Sequence, residues 1–349
     1  MSDDHAASRT ATCQDRQMLL MLITGLFAGA ALGYVLQRSG LCFHSMFATA
    51  WTGSTRLLRG WLLGVAIAAI GLSLIYASSA FDQLNEGLAF RPVRNIAGGL
   101  LIGAGMAIGR TCASGLFYKL GAGMLGAFVG ILGWVAGELV ATRIDVPGPT
   151  VLSGGTDGTI TGALGVPRLL GAVVLLVVVL GVCRLLVQRE GRGSARGAFD
   201  DSQPKNTWAW PLVGLALGAV VILGWVLAGV GDASYGPSTV GASASVEAGS
   251  PSWWLIAFLL GLIPGAHLAA RQTGDWRPRG ETPVRYGQLA FGGFLLGAGG
   301  WIAGGCNLGH GLSGTAQLNV ASWVAVAAMA VGVGLTRRLL DARQGAKQH

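Results

Sequence analysis

Long stretches with almost no charged residues dominate this chain and restrict the environment in which it can fold. A transmembrane helix needs about 20 consecutive apolar residues. Seven runs reach or approach that length: 18–36, 61–80, 122–141, 168–187, 208–230, 253–270 and 319–336. Charged residues make up only 11% of the chain, against about 25% in soluble domains. The sequence therefore predicts an all-α polytopic membrane protein. We expect about nine transmembrane helices plus re-entrant half-helices.

Glycine surrounds three of the five cysteines. Cys42, Cys112 and Cys306 lie in QRSGLCFHS, IGRTCASG and AGGCNLGHGLSG, each at the end of an apolar run and followed by small or polar residues. This setting is typical of helices that stop inside the bilayer, where irregular backbone must be buried in protein or line a cavity. Cys13 and Cys183 lack it, and no Cys-X-X-Cys motif occurs. We therefore predict no metal site and no cofactor.

An internal repeat connects two of these cysteines. The segment IGAGMAIGRTCASG (102–115) aligns with LGAGGWIAGGCNLG (296–309) through a Gly-Ala-Gly triplet, an isoleucine, the cysteine and a final glycine. Looser copies begin each half of the chain, and the copy at 212–229 has no cysteine. We expect Cys112 and Cys306 to face each other across a pseudo-symmetric path, with Cys42 as the odd member nearer one mouth.

The repeat divides the chain into two pseudo-symmetric membrane halves. Duplicated folds with interrupted helices are typical of transporters, whose substrate site lies at the repeat interface near mid-membrane. The predicted regions are a polar N-terminal tail (1–17), a first repeat (18–187), a charged cytoplasmic linker (188–207), a second repeat (208–338) and a polar C-terminal tail (339–349).

The net charge of +8 reflects arginine-rich loops rather than a nucleic-acid partner. Arginines concentrate in 188–207, in 271–286 and near the C-terminus, whereas 231–252 contains no Lys or Arg. Short basic loops tend to stay cytoplasmic. We therefore predict a cytoplasmic linker and C-terminus and an external 231–252 loop, while the side of the N-terminus stays open.

The motifs Arg38-Ser-Gly-Leu-Cys42, Gly109-Arg-Thr-Cys112-Ala-Ser-Gly115 and Gly304-Gly-Cys306-Asn-Leu-Gly-His-Gly-Leu-Ser-Gly314 carry a family resemblance. With them the chain resembles, over most of its length, the YeeE/YedE family of bacterial inner-membrane proteins for sulfur or thiosulfate transport. The resemblance implies thiosulfate uptake along a central path that holds the three cysteines. It also implies pseudo-twofold halves with re-entrant loops, and a soluble TusA-type sulfur carrier as partner at the cytoplasmic face.

Neutral thiols suit such a path because they are weak donors, and several weak sites in series allow both binding and release. Five further residues are candidates for a supporting role: Arg110, Ser114, Asn307, His310 and Glu138. Ser114 and Asn307 would cap half-helices. Arg110 would attract the anion, reach an interface or pair with Glu138, which is also a candidate for proton coupling. His310 would bind the anion or hold re-entrant backbone.

Two other functions remain open from the sequence. Attack of a thiolate on the sulfane sulfur would leave a cysteine persulfide and release sulfite, which would make the chain a membrane sulfurtransferase. The chain would otherwise transport a different sulfur or selenium species. We favour a transporter over an enzyme, and without an ATP-binding P-loop the chain itself offers no route to ATP drive.

Overall fold

The computed structural model describes residues 2–190 and 208–345, and this part of the chain is helical, with isolated bridges in place of sheets. Seven of its spans are long and apolar enough to cross a membrane. The nine longest helices are α1 (Ser2–Ser39), α3 (Arg56–Ala77), α4 (Pro92–Gly109), α6 (Gly126–Ala141), α8 (Arg168–Glu190), α9 (Trp210–Val230), α11 (Trp253–Thr273), α12 (Pro283–Ala303) and α13 (Val320–Gly345). The predicted all-α polytopic fold is confirmed.

Short helices follow four of the long ones. They are α2 (Phe43–Trp51), α5 (Ala113–Gly121), α10 (Val240–Glu247) and a π-helical turn, Gly309–Gly314, while α7 (Ile160–Ala163) lies in the connection before α8. The order of long helix, break, short helix and long helix therefore occurs four times, twice in each half. Helix α1 begins at Ser2, so it includes residues 2–17 of the predicted tail. Most of the predicted linker, 191–207, lies outside the described residues.

Three of the four breaks have the same backbone geometry. The long helix ends at a residue in the left-handed region, and a cysteine follows two positions later. These residues are Gly40 (φ 64°), Arg110 (φ 45°) and Gly304 (φ 76°). Glycine adopts this conformation freely, whereas a side chain costs about 1 kcal/mol there. The repeat seen in the sequence is therefore a repeat of backbone conformation at the cysteines.

The two halves pack as inverted copies of each other. Close glycine contacts show that α1 runs parallel to α11, since Gly25 lies against Trp254 and Gly33 against Leu262. The first long helix of one unit thus packs on the last long helix of its counterpart, and α3 packs in the same way on α9. Small residues allow this close approach in a bilayer.

The same reciprocal packing joins the other two units, with α4 parallel to α13 and α6 parallel to α12. Parallel contact between first and last helices requires the second half to be inverted relative to the first. Helix α8 provides the extra crossing that reverses the direction of the chain. The halves are therefore two inverted repeats, and their pseudo-twofold axis lies in the plane of the membrane.

Contacts between helix ends define two sides of the molecule. On the linker side, the end of α8 meets the start of α3 through the ion pair of Arg59 and Glu190 at 2.5 Å, near Trp208 before α9. On the far side, the start of α1 meets the end of α9, where Gln17 donates to Asp232 at 2.7 Å. Following the helix directions, the end of α13 lies on the linker side and 231–252 on the far side. This separation matches the one that the charge pattern predicts.

Candidate functional site

Two thiols lie side by side at the starts of α2 and α5. Cys42 and Cys112 are the N-caps of these half-helices, and the Cys42 thiol donates to Cys112 Sγ at 3.4 Å. Each cysteine carbonyl accepts the first helical hydrogen bond, from Met46 N at 2.8 Å and Leu116 N at 3.1 Å. Both side chains are buried, so the two helix starts converge on one enclosed sulfur pair.

Cys306 occupies the corresponding break after α12. Its carbonyl accepts from His310 N at 2.7 Å, the same local pattern as at the other two cysteines. Its Sγ accepts two hydrogen bonds, from Thr239 Oγ1 at 2.6 Å and from Leu308 N at 3.2 Å. Thr239 is the N-cap of α10 and is fully buried. The second half thus contains a pair, Thr239 and Cys306, where the first half contains two cysteines.

This pairing corrects the expected role of Cys42. The prediction that Cys112 and Cys306 are equivalent agrees with the backbone, but Cys42 is not an odd member nearer a mouth. It is in contact with Cys112, and its counterpart in the second half is Thr239. The sequence alignment missed Thr239 because it comes seven positions after the left-handed Asp232, whereas each cysteine comes two positions after its left-handed residue.

Asn307 joins the two halves at the helix starts. Its Oδ1 accepts from Ala113 N at 3.1 Å, and its Nδ2 donates to Ser114 Oγ at 2.8 Å. Ser114 Oγ in turn lies 3.4 Å from Cys112 Sγ. Asn307 therefore caps the half-helix of the opposite repeat, and a buried hydrogen-bonded chain connects the Cys112 segment with the Cys306 segment.

His310 holds re-entrant backbone. Nε2 lies 3.0 Å from Ala303 O, and Nδ1 lies 2.9 Å from Ser322 Oγ. A carbonyl only accepts, so Nε2 carries a hydrogen and donates it to Ala303 O. Both ring nitrogens are used within the fold. This geometry fits the structural interpretation of His310 rather than contact with an anion.

Arg110 and Glu138 do not form the pair that was one interpretation of the sequence. Arg110 is exposed at the end of α4, where the neighbouring Gly109 O accepts from Arg285 Nη2 at 2.7 Å near the start of α12. Glu138 is buried beside Gly297 of α12. Arg285, which contacts the residue before Arg110, and Gly297, which lies beside Glu138, are twelve residues apart in α12, or about 18 Å. Among the described residues, none forms a hydrogen bond with Glu138 Oε1.

The site favours an anion over a cation. The starts of α2 and α5 carry partial positive charge, and neither helix has an acidic residue in its first turn to offset it. Within the described residues, no group of three or more His, Cys, Asp or Glu side chains could hold a metal ion. What remains is a set of thiols, hydroxyls and helix starts, which can donate hydrogen bonds to a small anion.

A cavity of about 270 Å³ opens towards this site from the far side. Arg94, Tyr235 and Ser238 contribute polar groups to its wall, and Gly309 lies in the lining close to Cys306. Arg94 Nε donates to Ile302 O at 3.3 Å. Because Ser238 precedes Thr239 directly and Gly309 follows Cys306 by three positions, this part of the lining adjoins the Thr239–Cys306 pair.

A match to a known protein family identifies this arrangement of half-helices. The family model described as sulphur transport matches residues 38–335, a range that includes the three thiols and extends from the end of α1 into α13. The chain belongs to the sulphur transport family. Membership confirms the family that the cysteine motifs predicted.

Curated relatives extend the likeness over nearly the whole chain. The chain is 28% identical to the thiosulfate transporter TsuA of Spirochaeta thermophila over 87% of this chain and 94% of that protein. It is 25% identical to the thiosulfate transporter TsuA of Escherichia coli, over 90% and 94% respectively. The probable transporter YedE of Escherichia coli is 29% identical over 32% of this chain and 25% of that protein. These relatives are named as transporters, which agrees with the prediction of a non-enzyme.

Proposed function

We propose that this chain takes up thiosulfate, or a closely related sulfur oxyanion, across the bacterial inner membrane through a passage at the interface of its two inverted repeats. The observation that carries the proposal is the convergence of four half-helix starts on two buried pairs, Cys42 with Cys112 and Thr239 with Cys306. The names of the two TsuA relatives supply the substrate class.

The anion would first occupy the far-side cavity. Arg94 is half-buried in its wall and offers a positive charge to a dianion, and the described residues include no carboxylate within ion-pair distance of it. From there the ion would pass the Thr239–Cys306 pair and reach the Cys42–Cys112 pair. Because neutral thiols are weak donors, each would hold the ion loosely enough to release it. All three cysteines are buried, so passage requires the half-helices to move apart.

The proposed direction follows from charge. Basic segments on the linker side would make that side, including the C-terminus, cytoplasmic. A membrane potential that is negative inside opposes a dianion by about 4.6 kcal/mol per 100 mV, since each charge contributes about 2.3 kcal/mol. Net uptake therefore needs consumption of the ion or a coupling ion. A TusA-type sulfur carrier at the cytoplasmic mouth would provide the first, and the buried Glu138 is the candidate for the second.

Growth on thiosulfate as the sole sulfur source tests the proposal in a host that lacks its own uptake route. We expect Cys112→Ala and Cys306→Ala to abolish growth. Cys183→Ala is the matched control, because Cys183 is equally buried but lies in α8, away from the half-helices. Full growth of both site variants would contradict the proposal. Growth on cysteine shows that each strain is otherwise viable.

A further inference from the structure

We propose that Thr239 is a positioning residue for the Cys306 thiol and completes the passage as the counterpart of Cys42. This inference rests on the proposed function. Cys42 and Thr239 are both N-caps of the first half-helix in their repeat. Each contacts the cysteine at the second half-helix, Cys42 with Cys112 and Thr239 with Cys306. Inverted symmetry thus assigns to Thr239 the place that a fourth cysteine would fill.

The hydrogen bonds at Cys306 define what Thr239 does. Thr239 Oγ1 and Leu308 N both donate to Cys306 Sγ, at 2.6 Å and 3.2 Å. With its sulfur accepting twice, the thiol hydrogen is left to donate elsewhere, and the passing anion is the natural acceptor. Loss of the Thr239 hydroxyl would remove the hydrogen bond to Cys306 that comes from a distant part of the chain, since Leu308 is only two residues from Cys306.

A hydroxyl also differs from a thiol in redox chemistry. The Thr239–Cys306 pair adjoins the far-side cavity, which the proposed topology exposes to the oxidising periplasm. Two cysteines at this position would lose two protons and two electrons to an oxidant and form a disulfide that closes the passage. Threonine keeps the donor and cannot form that bond. The Cys42–Cys112 pair belongs to half-helices that end on the linker side, the reducing side in this topology.

Substitutions of Thr239 test the positioning role in proteoliposomes that take up labelled thiosulfate. We expect Thr239→Ser to keep the rate within about twofold and Thr239→Val to lower it about tenfold, because only serine retains the donor. Thr24→Val is the control, since Thr24 is buried in α1 and its hydroxyl donates to Leu20 O within that helix. A wild-type rate in Thr239→Val would overturn the inference. Failure of the wild-type protein to take up thiosulfate would overturn the proposed function instead.

The variant Thr239→Cys tests the pairing without relying on transport. Copper phenanthroline should oxidise the introduced thiol and the Cys306 thiol to a disulfide between positions 239 and 306, which mass spectrometry of the peptides would identify. The disulfide between positions 239 and 306 is the readout instead of uptake, because the same oxidant can also join Cys42 to Cys112. Thr239→Ser is the control and should leave Cys306 unpaired. Absence of the disulfide in Thr239→Cys would refute the proposed geometry, even if Thr239→Val fails to fold.

Discussion

The two pairs of side chains at the half-helix starts hold corresponding places in the two inverted repeats and have different chemistry. In the first half Cys42 and Cys112 lie 3.4 Å apart between sulfurs, and in the second half Thr239 Oγ1 lies 2.6 Å from Cys306 Sγ. Both pairs stand at half-helix starts, whose positive ends suit an anion. The comparison teaches that inversion places helix N-termini beside both pairs, while the side chains at those starts differ.

Oxidation should affect the two pairs most differently. We expect copper phenanthroline to join Cys42 to Cys112 in the wild-type protein, to leave Cys306 unpaired, and to block thiosulfate uptake almost completely until dithiothreitol is added. The reason is that the first pair has two thiols in contact and the second has one. Peptide mass spectrometry and labelled uptake measure the two effects.

Cys42→Ala serves as the control for that experiment, because it should remove the disulfide. A disulfide that includes Cys306, or a Cys42–Cys112 bond that leaves uptake unchanged, would show that the comparison of the two pairs is wrong.

The hydrogen bonds by which Asn307 bridges the two halves should give the next largest effect on uptake. Asn307→Ala leaves Ala113 N and Ser114 Oγ without their partner in a buried setting, which costs about 1–3 kcal/mol of unfolding free energy. We also expect a large loss of uptake, because the α5 start and Cys112 lose their alignment with the second half. Thermal unfolding in detergent and uptake in proteoliposomes measure these effects.

Asn95→Ala provides a matched comparison for the bridge. Asn95 is also a buried asparagine that joins the halves, since its Nδ2 donates to Ala303 O at 2.9 Å, but it lies in α4 away from the thiols. It should lose similar stability and keep more uptake. Equal loss of uptake in both variants would mean that Asn307 acts through stability alone.

Backbone strain should give the smallest difference between the repeats. Gly304→Ala introduces a side chain at a left-handed position and should lower the unfolding free energy by about 1 kcal/mol. Arg110→Gly at the equivalent position should change it by less, because relief of strain is offset by the greater freedom of the unfolded chain. Thermal unfolding of both variants measures the difference. A stabilised Gly304→Ala would contradict the shared backbone geometry.

The sequence predicts the fold better than it predicts the contacts at the site. Apolar runs are local signals, so most of the long helices can be predicted from them, although the seven apolar runs omit α4 and α12. The Cys42–Cys112 contact joins residues 70 positions apart and depends on how α2 and α5 converge. No spacing in the chain encodes it.

Thr239 illustrates a second limit of prediction from the sequence. Its loop is longer than the three cysteine loops, so an alignment at constant spacing passes over it. The inversion of the halves has a cause that is visible in the sequence, since α8 adds one more crossing to the first half. The parallel contacts of α1 with α11 and of α4 with α13 were nevertheless needed to establish it.

Uptake of thiosulfate labelled in its outer sulfur, into proteoliposomes of the purified protein, tests the central claim most directly. The account predicts that intact labelled thiosulfate accumulates inside, that Cys112→Ala and Cys306→Ala abolish accumulation while Cys183→Ala does not, and that no label stays on the protein. Label recovered as a persulfide on Cys42, Cys112 or Cys306 with free sulfite outside, or accumulation equal in all variants, would contradict it.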